Sequence, residues 1–147
     1  MNPQIGHVHL KVSDLERSIQ FYQDALGMTL TQRFGSQAAF MSWGGYHHHL
    51  GLNTWQSKGG SPPARGTTGL FHFAVLFSDR ANWLSAVERV TELGIAIEGA
   101  ADHGVSEAFY FRDPDGNGIE LYWDRPMEEW PRDPSGNIKM VTEPLRR

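Results

Sequence analysis

The chain has 147 residues, of which 20% are charged and 39% hydrophobic, and this balance excludes both a disordered tail and a membrane protein. A formal net charge of −4 without a Lys/Arg cluster argues against a nucleic-acid partner. The absence of cysteine excludes disulfides, thiolate nucleophiles and Cys-type metal sites. No apolar run approaches the ~18 residues that span a bilayer, and no signal-peptide layout is visible, so we expect a cytoplasmic protein.

The first half of the chain predicts a β-α-β-β-β unit. A β-type run over 6–14 ends in Ser-Asp and is followed by one apolar stripe at helical spacing, formed by Leu15, Ile19, Tyr22 and Leu26. Asp14 or Ser13 can cap the start of this helix, and Gly27 suits the left-handed residue after its end. The strands predicted to follow are Met28–Phe34, Ala38–Trp43 and His47–Asn53.

The second half repeats the pattern of the first. The run over 71–79 has the same form as that over 6–14, and His72 and His7 each stand seven residues before the Asp that ends the run. The sequence predicts a second helix, capped by Asp79, whose core-facing residues are Trp83, Leu84, Val87 and Val90. After Gly94 the predicted strands are Ile95–Glu98, Ala108–Arg112 and Gly118–Trp123.

These elements predict an α+β fold of two tandem βαβββ units. Together the units form one domain over 1–124, in which unit one covers 1–55, a Gly/Pro-rich linker covers 56–68 and unit two covers 69–124. Residues 125–147 contain four prolines and are expected to form an irregular C-terminal arm. We expect the two sheets to pair around a shared concave surface.

Alternation along the strands places polar side chains on one sheet face. His7 lies opposite the apolar set of the first strand, His49 opposite Leu50, and Glu120 opposite Ile119. The repeat brings His7 to a position equivalent to that of His72, and His49 or His48 to one equivalent to that of Glu120. Two histidines and one carboxylate form the facial triad that suits non-haem Fe(II). A fourth protein ligand would instead suit a Lewis-acid metal such as Ni(II) or Zn(II).

Each of these residues taken singly would more often be an ordinary core or surface residue. Their agreement with the internal repeat favours a metal site instead. His103 is a loop histidine that could lie at the rim of the same cavity.

The motifs that carry these residues resemble the vicinal oxygen chelate superfamily, which includes glyoxalase I, bleomycin- and fosfomycin-resistance proteins and type I extradiol dioxygenases. The segment from His7 to Gly27 resembles the family's opening, and Asp113–Tyr122 resembles its closing strand. Within the superfamily, catechol-2,3-dioxygenase-like proteins are the most similar, on the stretches Gly44–Trp55, Asp102–Ala108 and Asp124–Trp130.

The resemblance implies iron ligands at His7, His72 and Glu120. It also implies an acid–base histidine on the His47–His49 strand and a tyrosine ten residues before the carboxylate, which here is Tyr110. Matching leaves His48 and His49 open for the acid–base role, and strand alternation favours His49. Most such dioxygenases carry two domains of this type, so a homodimer is implied.

Three functional hypotheses follow. The first is an Fe(II)-dependent extradiol-type dioxygenase that cleaves a small catecholic substrate with dioxygen. The second is a glyoxalase-like lyase or isomerase, or a resistance enzyme, that uses Ni(II), Zn(II) or Mn(II) as a Lewis acid. The third is a non-enzymatic protein that binds an aromatic drug, which the retention of His7, His72 and Glu120 disfavours.

Overall fold

The computed structural model describes residues 1–145, and the chain divides into two compact units. The first unit contains Met1–Gly69 together with Asp113–Asn117, and the second contains Leu70–Arg112 and the chain from Gly118 onward. Each unit contains one α-helix and one four-stranded sheet, so the predicted α+β fold of two tandem βαβββ units is confirmed. Arg146 and Arg147 of the predicted arm lie outside the described residues.

The first unit contains β1 (Val8–Lys11), α1 (Leu15–Leu26), β2 (Thr29–Phe34), β3 (Ala38–Ser42) and β4 (Leu50–Asn53). Its strand order is β1-β4-β3-β2, with β1 parallel to β4 and the other pairs antiparallel. The Asp14 carboxylate accepts a hydrogen bond from the Arg17 N–H at 3.1 Å, and Gly27 is left-handed with φ 64°. Both ends of α1 are therefore as the sequence predicts.

The core of the first unit lies between α1 and the sheet. The apolar stripe of α1 packs on β3 and β4, and alternate sheet residues complete the core, so that the buried set includes Leu10, Val12, Leu15, Ile19, Tyr22, Met41, Leu50 and Leu52. His9 and Lys11, which alternate with Leu10 and Val12, are exposed. This division leaves the polar side chains of β1 on the face turned away from the helix.

The second unit contains β5 (His72–Phe77), α2 (Arg80–Glu92), β6 (Gly99–Asp102), β7 (Ser106–Arg112) and β8 (Gly118–Asp124). Its strand order, β5-β8-β7-β6, repeats the topology of the first unit. Asp79 caps α2 as predicted, since its carboxylate accepts from the Asn82 N–H at 2.8 Å. Trp83 is fully buried under the sheet and donates its Nε1–H to the Leu121 carbonyl at 2.7 Å.

Two strand predictions are wrong by three residues or more. The predicted strand Ile95–Glu98 lies outside the sheet, and β6 runs over Gly99–Asp102 instead. The Ile95 N–H still donates to the Val90 carbonyl at the end of α2. The apolar residues after Gly94 therefore connect the helix to the sheet and precede the first strand pairing, which begins at Gly99. The predicted strand His47–Asn53 starts only at Leu50, because left-handed Gly44 and Gly45 form a turn that the three histidines continue.

Residues 125–145 are mostly irregular, and they pair with β6 at one point and with each other at another. A 3-10 helix covers Met127–Glu129, and antiparallel bridges join Asp102 to Glu143 and Arg132 to Ile138. Neither helix within residues 1–145 has the length and apolar character needed to cross a membrane.

Candidate functional site

Three side chains of the second unit meet on one face of its sheet. Glu120 on β8 is the direct partner of Tyr110 on β7 and of Ala74 on β5. His72 stands two residues before Ala74, on the same face, and is therefore a diagonal neighbour of Glu120. The repeat of the sequence and the register of the sheet thus place His72 and Tyr110 on either side of one carboxylate.

Hydrogen bonds link these side chains directly. Nε2 of His72 lies 3.0 Å from Oε2 of Glu120, and the Tyr110 hydroxyl lies 3.0 Å from Oε1 of the same carboxylate. The Glu120 side chain is only 13% exposed. Burial, and then the hydrogen bond to the Glu120 carboxylate, raises the pKa of Tyr110 far above its usual value. Tyr110 therefore keeps its proton at neutral pH and is a hydrogen-bond donor.

The donor atoms of His72 and Glu120 fit a first-row metal ion. Imidazole nitrogens and carboxylate oxygens lie about 2.0–2.2 Å from such an ion, so two donors at right angles around it are separated by roughly 3 Å. The 3.0 Å between Nε2 of His72 and Oε2 of Glu120 agrees with that separation. This nitrogen–oxygen donor set suits Fe(II), Ni(II), Zn(II) or Mn(II).

His103 contacts Tyr110 and so adds a fourth side chain to the group formed by His72, Glu120 and Tyr110. It lies in the turn between β6 and β7, and its Nε2 is 2.6 Å from the Tyr110 hydroxyl and 3.9 Å from Oε1 of Glu120. Its Nδ1 lies 3.0 Å from the carbonyl oxygen of Val141 in the arm. The sequence suggests His103 as a rim residue but contains no signal for its contact with Val141.

The first unit brings a second group of histidines together. The ring of His48 lies 4.4 Å from that of His7 and 4.9 Å from that of Phe40, measured between centroids. Nδ1 of His47 lies 2.7 Å from Nδ1 of His48. Burial and the neighbouring histidines, His7 first among them, lower the pKa of His48. A neutral imidazole beside His7 can accept a proton at neutral pH.

His49 has different surroundings. Its Nδ1 lies 3.3 Å from both the Trp43 N–H and the Ser42 hydroxyl, and its ring packs against Trp43 and Tyr46. His49 precedes β4, but its N–H donates to the Met41 carbonyl at 2.9 Å and its carbonyl accepts from the Val8 N–H at 3.1 Å, so the strand alternation that favours His49 extends to this residue. His48, the alternative left open by the sequence, is the residue that contacts His7.

His9 and Asn53 form a hydrogen-bonded pair that the sequence does not predict. The Trp55 N–H donates to Oδ1 of Asn53 at 3.1 Å, which leaves the amide NH₂ group to donate to Nε2 of His9 at 2.9 Å. The His9 ring occupies the place where a side chain at Gly51 would stand, since a Cβ there would lie 2.7 Å from its Nδ1. Burial, and then His7, lowers the pKa of His9.

The predicted site residues therefore fall into two groups. His72, Glu120 and Tyr110 are brought together in the second unit, and His7 lies beside His48 in the first. Over residues 1–145, no three His, Asp or Glu side chains form a group that could hold a metal ion.

Comparison with known proteins shows the family of the chain. A family model described as "Glyoxalase/Bleomycin resistance protein/Dioxygenase superfamily" matches residues 4–121. The chain is 44% identical over 138 residues to a catechol-2,3-dioxygenase of Bacillus subtilis. The aligned region covers 94% of this chain and 47% of that protein. It is 30% identical to a biphenyl-2,3-diol 1,2-dioxygenase of Rhodococcus globerulus, covering 84% of this chain and 65% of that protein.

A solved structure described as a lactoylglutathione lyase from Agrobacterium tumefaciens superposes with a TM-score of 0.65 at 26% identity. The match covers 83% of this chain and 94% of that chain. The chain thus spans about half of the catechol-2,3-dioxygenase and about two thirds of the biphenyl-2,3-diol 1,2-dioxygenase. It spans nearly all of the lactoylglutathione lyase structure.

Proposed function

Because the chain belongs to the glyoxalase/bleomycin resistance protein/dioxygenase superfamily, we propose that it is a metal-dependent extradiol-type dioxygenase that opens the ring of a small catecholic substrate. The observation that carries this proposal is the contact of His72 and Tyr110 with one buried carboxylate, Glu120. The names of the two dioxygenase relatives support the substrate class.

In this proposal His7, His72 and Glu120 would hold the metal, most consistently Fe(II), because two histidines and one carboxylate would leave open positions for other ligands. When bound, the metal would bring the two vicinal oxygens of the substrate together with dioxygen. Insertion of both atoms of dioxygen into the substrate would account for ring opening without an external reductant.

The protein's own groups handle protons and charge. We assign proton transfer to His48, which lies beside His7 and has a lowered pKa, and keep His49 as the alternative. Tyr110 stays protonated at neutral pH, and we assign to its hydroxyl the hydrogen bond to the negative charge that develops on a substrate oxygen. Phe40, which packs against His48, offers a flat apolar surface to an aromatic ring.

The test is reconstitution under nitrogen with Fe(II), followed by a panel of catechols and then air. We expect a yellow ring-cleavage product with the wild-type protein and none with Glu120→Ala. Glu88→Gln, an exposed glutamate on α2, is the matched control and should behave as wild type. If no catechol of a broad panel yields a ring-opened product although the protein holds iron, the proposal is wrong.

A Lewis-acid lyase or transferase is the second candidate, favoured by one observation. The chain resembles the lactoylglutathione lyase structure with a TM-score of 0.65 at 26% identity. Such an enzyme would use Ni(II), Zn(II) or Mn(II) at the same residues and would consume no dioxygen. Turnover of a thiol adduct without oxygen uptake would support this candidate over the first.

A further inference from the structure

The chain contains the same turn twice. The sequence Arg-Asp-Pro-x-Gly-Asn occurs at 112–117 and again at 132–137, where it lies outside residues 4–121, which the family model matches. We call the turn Asp113–Asn117 the sheet turn, because it joins β7 to β8, and the turn over 133–137 the arm turn. In each turn the Asp carboxylate accepts from the backbone N–H and from the side-chain amide of the Asn, at 2.9 and 2.9 Å in the sheet turn and at 3.0 and 3.2 Å in the arm turn. The two asparagines therefore share one local geometry.

The residue that follows the asparagine differs between the two turns. Gly118 follows Asn117, whereas an isoleucine follows Asn137. A Cβ at position 118 would lie 2.5 Å from the carbonyl oxygen of Phe71 and 2.9 Å from Cβ of His72, so the fold requires glycine there. Glycine has no side chain to hinder the approach of its nitrogen to the side-chain carbon of the preceding residue. The packing of β5 against β8 thus imposes an Asn-Gly sequence, in which the thermolabile asparagine is least shielded from reaction.

The reaction open to an Asn-Gly sequence is cyclisation followed by hydrolysis. The backbone nitrogen of Gly118 gives up its proton to solvent and attacks Cγ of Asn117, and the bond between Cγ and the side-chain nitrogen breaks. That nitrogen takes a proton from solvent and leaves as ammonia, so that a cyclic succinimide remains. Water then adds to one of the succinimide carbonyls and yields aspartate or isoaspartate at position 117. No oxidant or reductant takes part.

The sheet turn has a buried anchor that opposes this reaction. Asp113 is only 5% exposed and also accepts the hydroxyl of the buried Tyr22 at 2.8 Å. Rotation of the Asn117 side chain toward the following nitrogen breaks its hydrogen bond to Asp113. The hydrogen bonds between Asn137 and Asp133, in contrast, lie at the exposed surface. The asparagine with the more reactive neighbour is therefore the one that the fold holds more firmly.

We propose that Asn117 is a site of spontaneous deamidation that the folded sheet turn protects, so that conversion follows release of the turn and then prevents its return. An aspartate at position 117 sets a second carboxylate against that of Asp113, in place of the amide that donates at 2.9 Å. An isoaspartate adds a methylene to the main chain directly before β8. Either product makes opening of the turn irreversible with time. The modification requires neither metal nor substrate, so it does not depend on the proposed function.

The conversion can be followed by peptide mass spectrometry of the full-length protein, which detects the replacement of NH₂ by OH at each asparagine. Samples are held at one mildly alkaline pH and one temperature, in buffer and in concentrated urea. In urea we expect Asn117 to convert well before Asn137, because glycine follows only the first of the two. In buffer we expect Asn117 to convert at least about tenfold more slowly than in urea, since modification of an opened state follows its population. Equal rates at the two asparagines in urea, or equal rates of Asn117 in buffer and urea, would overturn the proposal.

Ile138→Gly separates the effect of the sequence from that of the buried anchor, because it gives the arm turn the same Asn-Gly pair. Ile138 is 49% exposed, so the exchange leaves the core intact. In urea Asn137 of this variant should convert as fast as Asn117. In buffer it should convert faster than Asn117, because its hydrogen bonds to Asp133 lie at the surface. If the two convert equally slowly in buffer, the anchor protects nothing and the proposal fails.

Tyr22→Phe tests the anchor from the other side. Loss of a hydrogen bond to a charged group favours the opened turn by about tenfold or more, so the rate at Asn117 in buffer should rise by that factor. Tyr46→Phe, at an exposed tyrosine, is the matched control and should leave the rate unchanged. An unchanged rate in Tyr22→Phe would contradict the proposal. Should this variant not fold, the comparison in Ile138→Gly still decides.

Two aspartate variants test the consequence of the modification. Asn117→Asp mimics one product and should lower the urea midpoint of unfolding, because the new carboxylate faces the buried Asp113. Asn137→Asp makes the same change in the exposed arm turn and should lower the midpoint less, since water screens the pair. In wild-type protein held in urea, the fraction that fails to refold should grow with the fraction converted at Asn117. Full refolding of converted chains, or equal midpoint shifts in the two variants, would show that the modification does not prevent return of the turn.

Discussion

At the scale of single residues, the rings of His48 and His49 differ in their contacts. His48 packs against His7 and Phe40, whereas His49 is engaged by the Trp43 N–H and the Ser42 hydroxyl. An acid–base group must reach the substrate near the metal, and His7 is one of the proposed ligands. Proximity to His7 therefore favours His48.

We expect His48→Gln to lower kcat for ring cleavage by about 10²-fold or more, since loss of a general acid–base group commonly costs 10²–10⁴-fold. His49→Gln, the matched variant at the adjacent position, should retain most of the activity. Steady-state kinetics with catechol measure both. The reverse order of effects would transfer the role to His49.

Tyr110 can be tested by removal of its hydroxyl alone. In Tyr110→Phe the donor near Glu120 and His103 is lost, and removal of one such donor typically costs 10²–10³ in kcat. Bound metal, measured by elemental analysis, should stay at the wild-type level because Tyr110 is not a proposed ligand. Full kcat in the variant would contradict the role.

At the scale of elements, the turn Asp113–Asn117 belongs to the first unit by its contacts. The buried Tyr22 hydroxyl of α1 donates to Oδ2 of Asp113 at 2.8 Å. Ser13, at the start of α1, donates to Oδ1 of Asp115 through both its backbone N–H and its hydroxyl. A polar cluster thus fixes this turn against the helix.

We expect Tyr22→Phe to lower the free energy of unfolding by about 1.5–3 kcal/mol, the usual value of a hydrogen bond to a charged group. Urea unfolding with an unchanged m-value measures this loss. Tyr46→Phe is the control, because Tyr46 is 41% exposed, and it should change stability by less than about 0.5 kcal/mol. Equal effects of the two variants would contradict the assignment.

The same tyrosine should make stability depend on alkaline pH. Burial, and then the nearby Asp113 carboxylate, raises the pKa of Tyr22 well above its usual 10.0. Above pH 10 the unfolded chain releases this proton and the folded chain keeps it, so stability is complete below pH 10 and falls as the pH rises beyond it. The Tyr22→Phe variant should lose this part of the pH dependence.

The elements could be predicted where side-chain patterns alone determine them. The helix stripes and the caps at Asp14, Asp79 and Gly27 are local signals, and the structure reproduces them. The strand predicted at Ile95–Glu98 is misplaced, because an apolar run does not show where the connection after a helix ends and strand pairing begins. The strand start at His47 was misplaced because the turn at Gly44 and Gly45 extends further than its glycines indicate.

The candidate site was predictable only in part, for a related reason. The contact of His72 with Glu120 follows from the internal repeat and the strand register, both visible in the sequence. The pairs His9–Asn53 and His103–Val141 depend on side-chain reach and on the path of the arm. Neither quantity is encoded in a periodic pattern.

At the scale of the whole molecule, the chain spans 47% of the catechol-2,3-dioxygenase it resembles. We propose that the protein is a homodimer in solution. Light scattering after size-exclusion chromatography should give about twice the chain mass of 16.5 kDa. A mass equal to one chain at micromolar concentration would contradict this expectation.

The central claim is that His7, His72 and Glu120 hold a catalytic transition metal, and elemental analysis of protein purified without oxygen tests it most directly. The account predicts close to one iron per chain in the wild-type protein and little in Glu120→Ala. Glu88→Gln should retain the wild-type content. Absence of a stoichiometric transition metal from the wild-type protein, or equal metal in Glu120→Ala, would contradict the account.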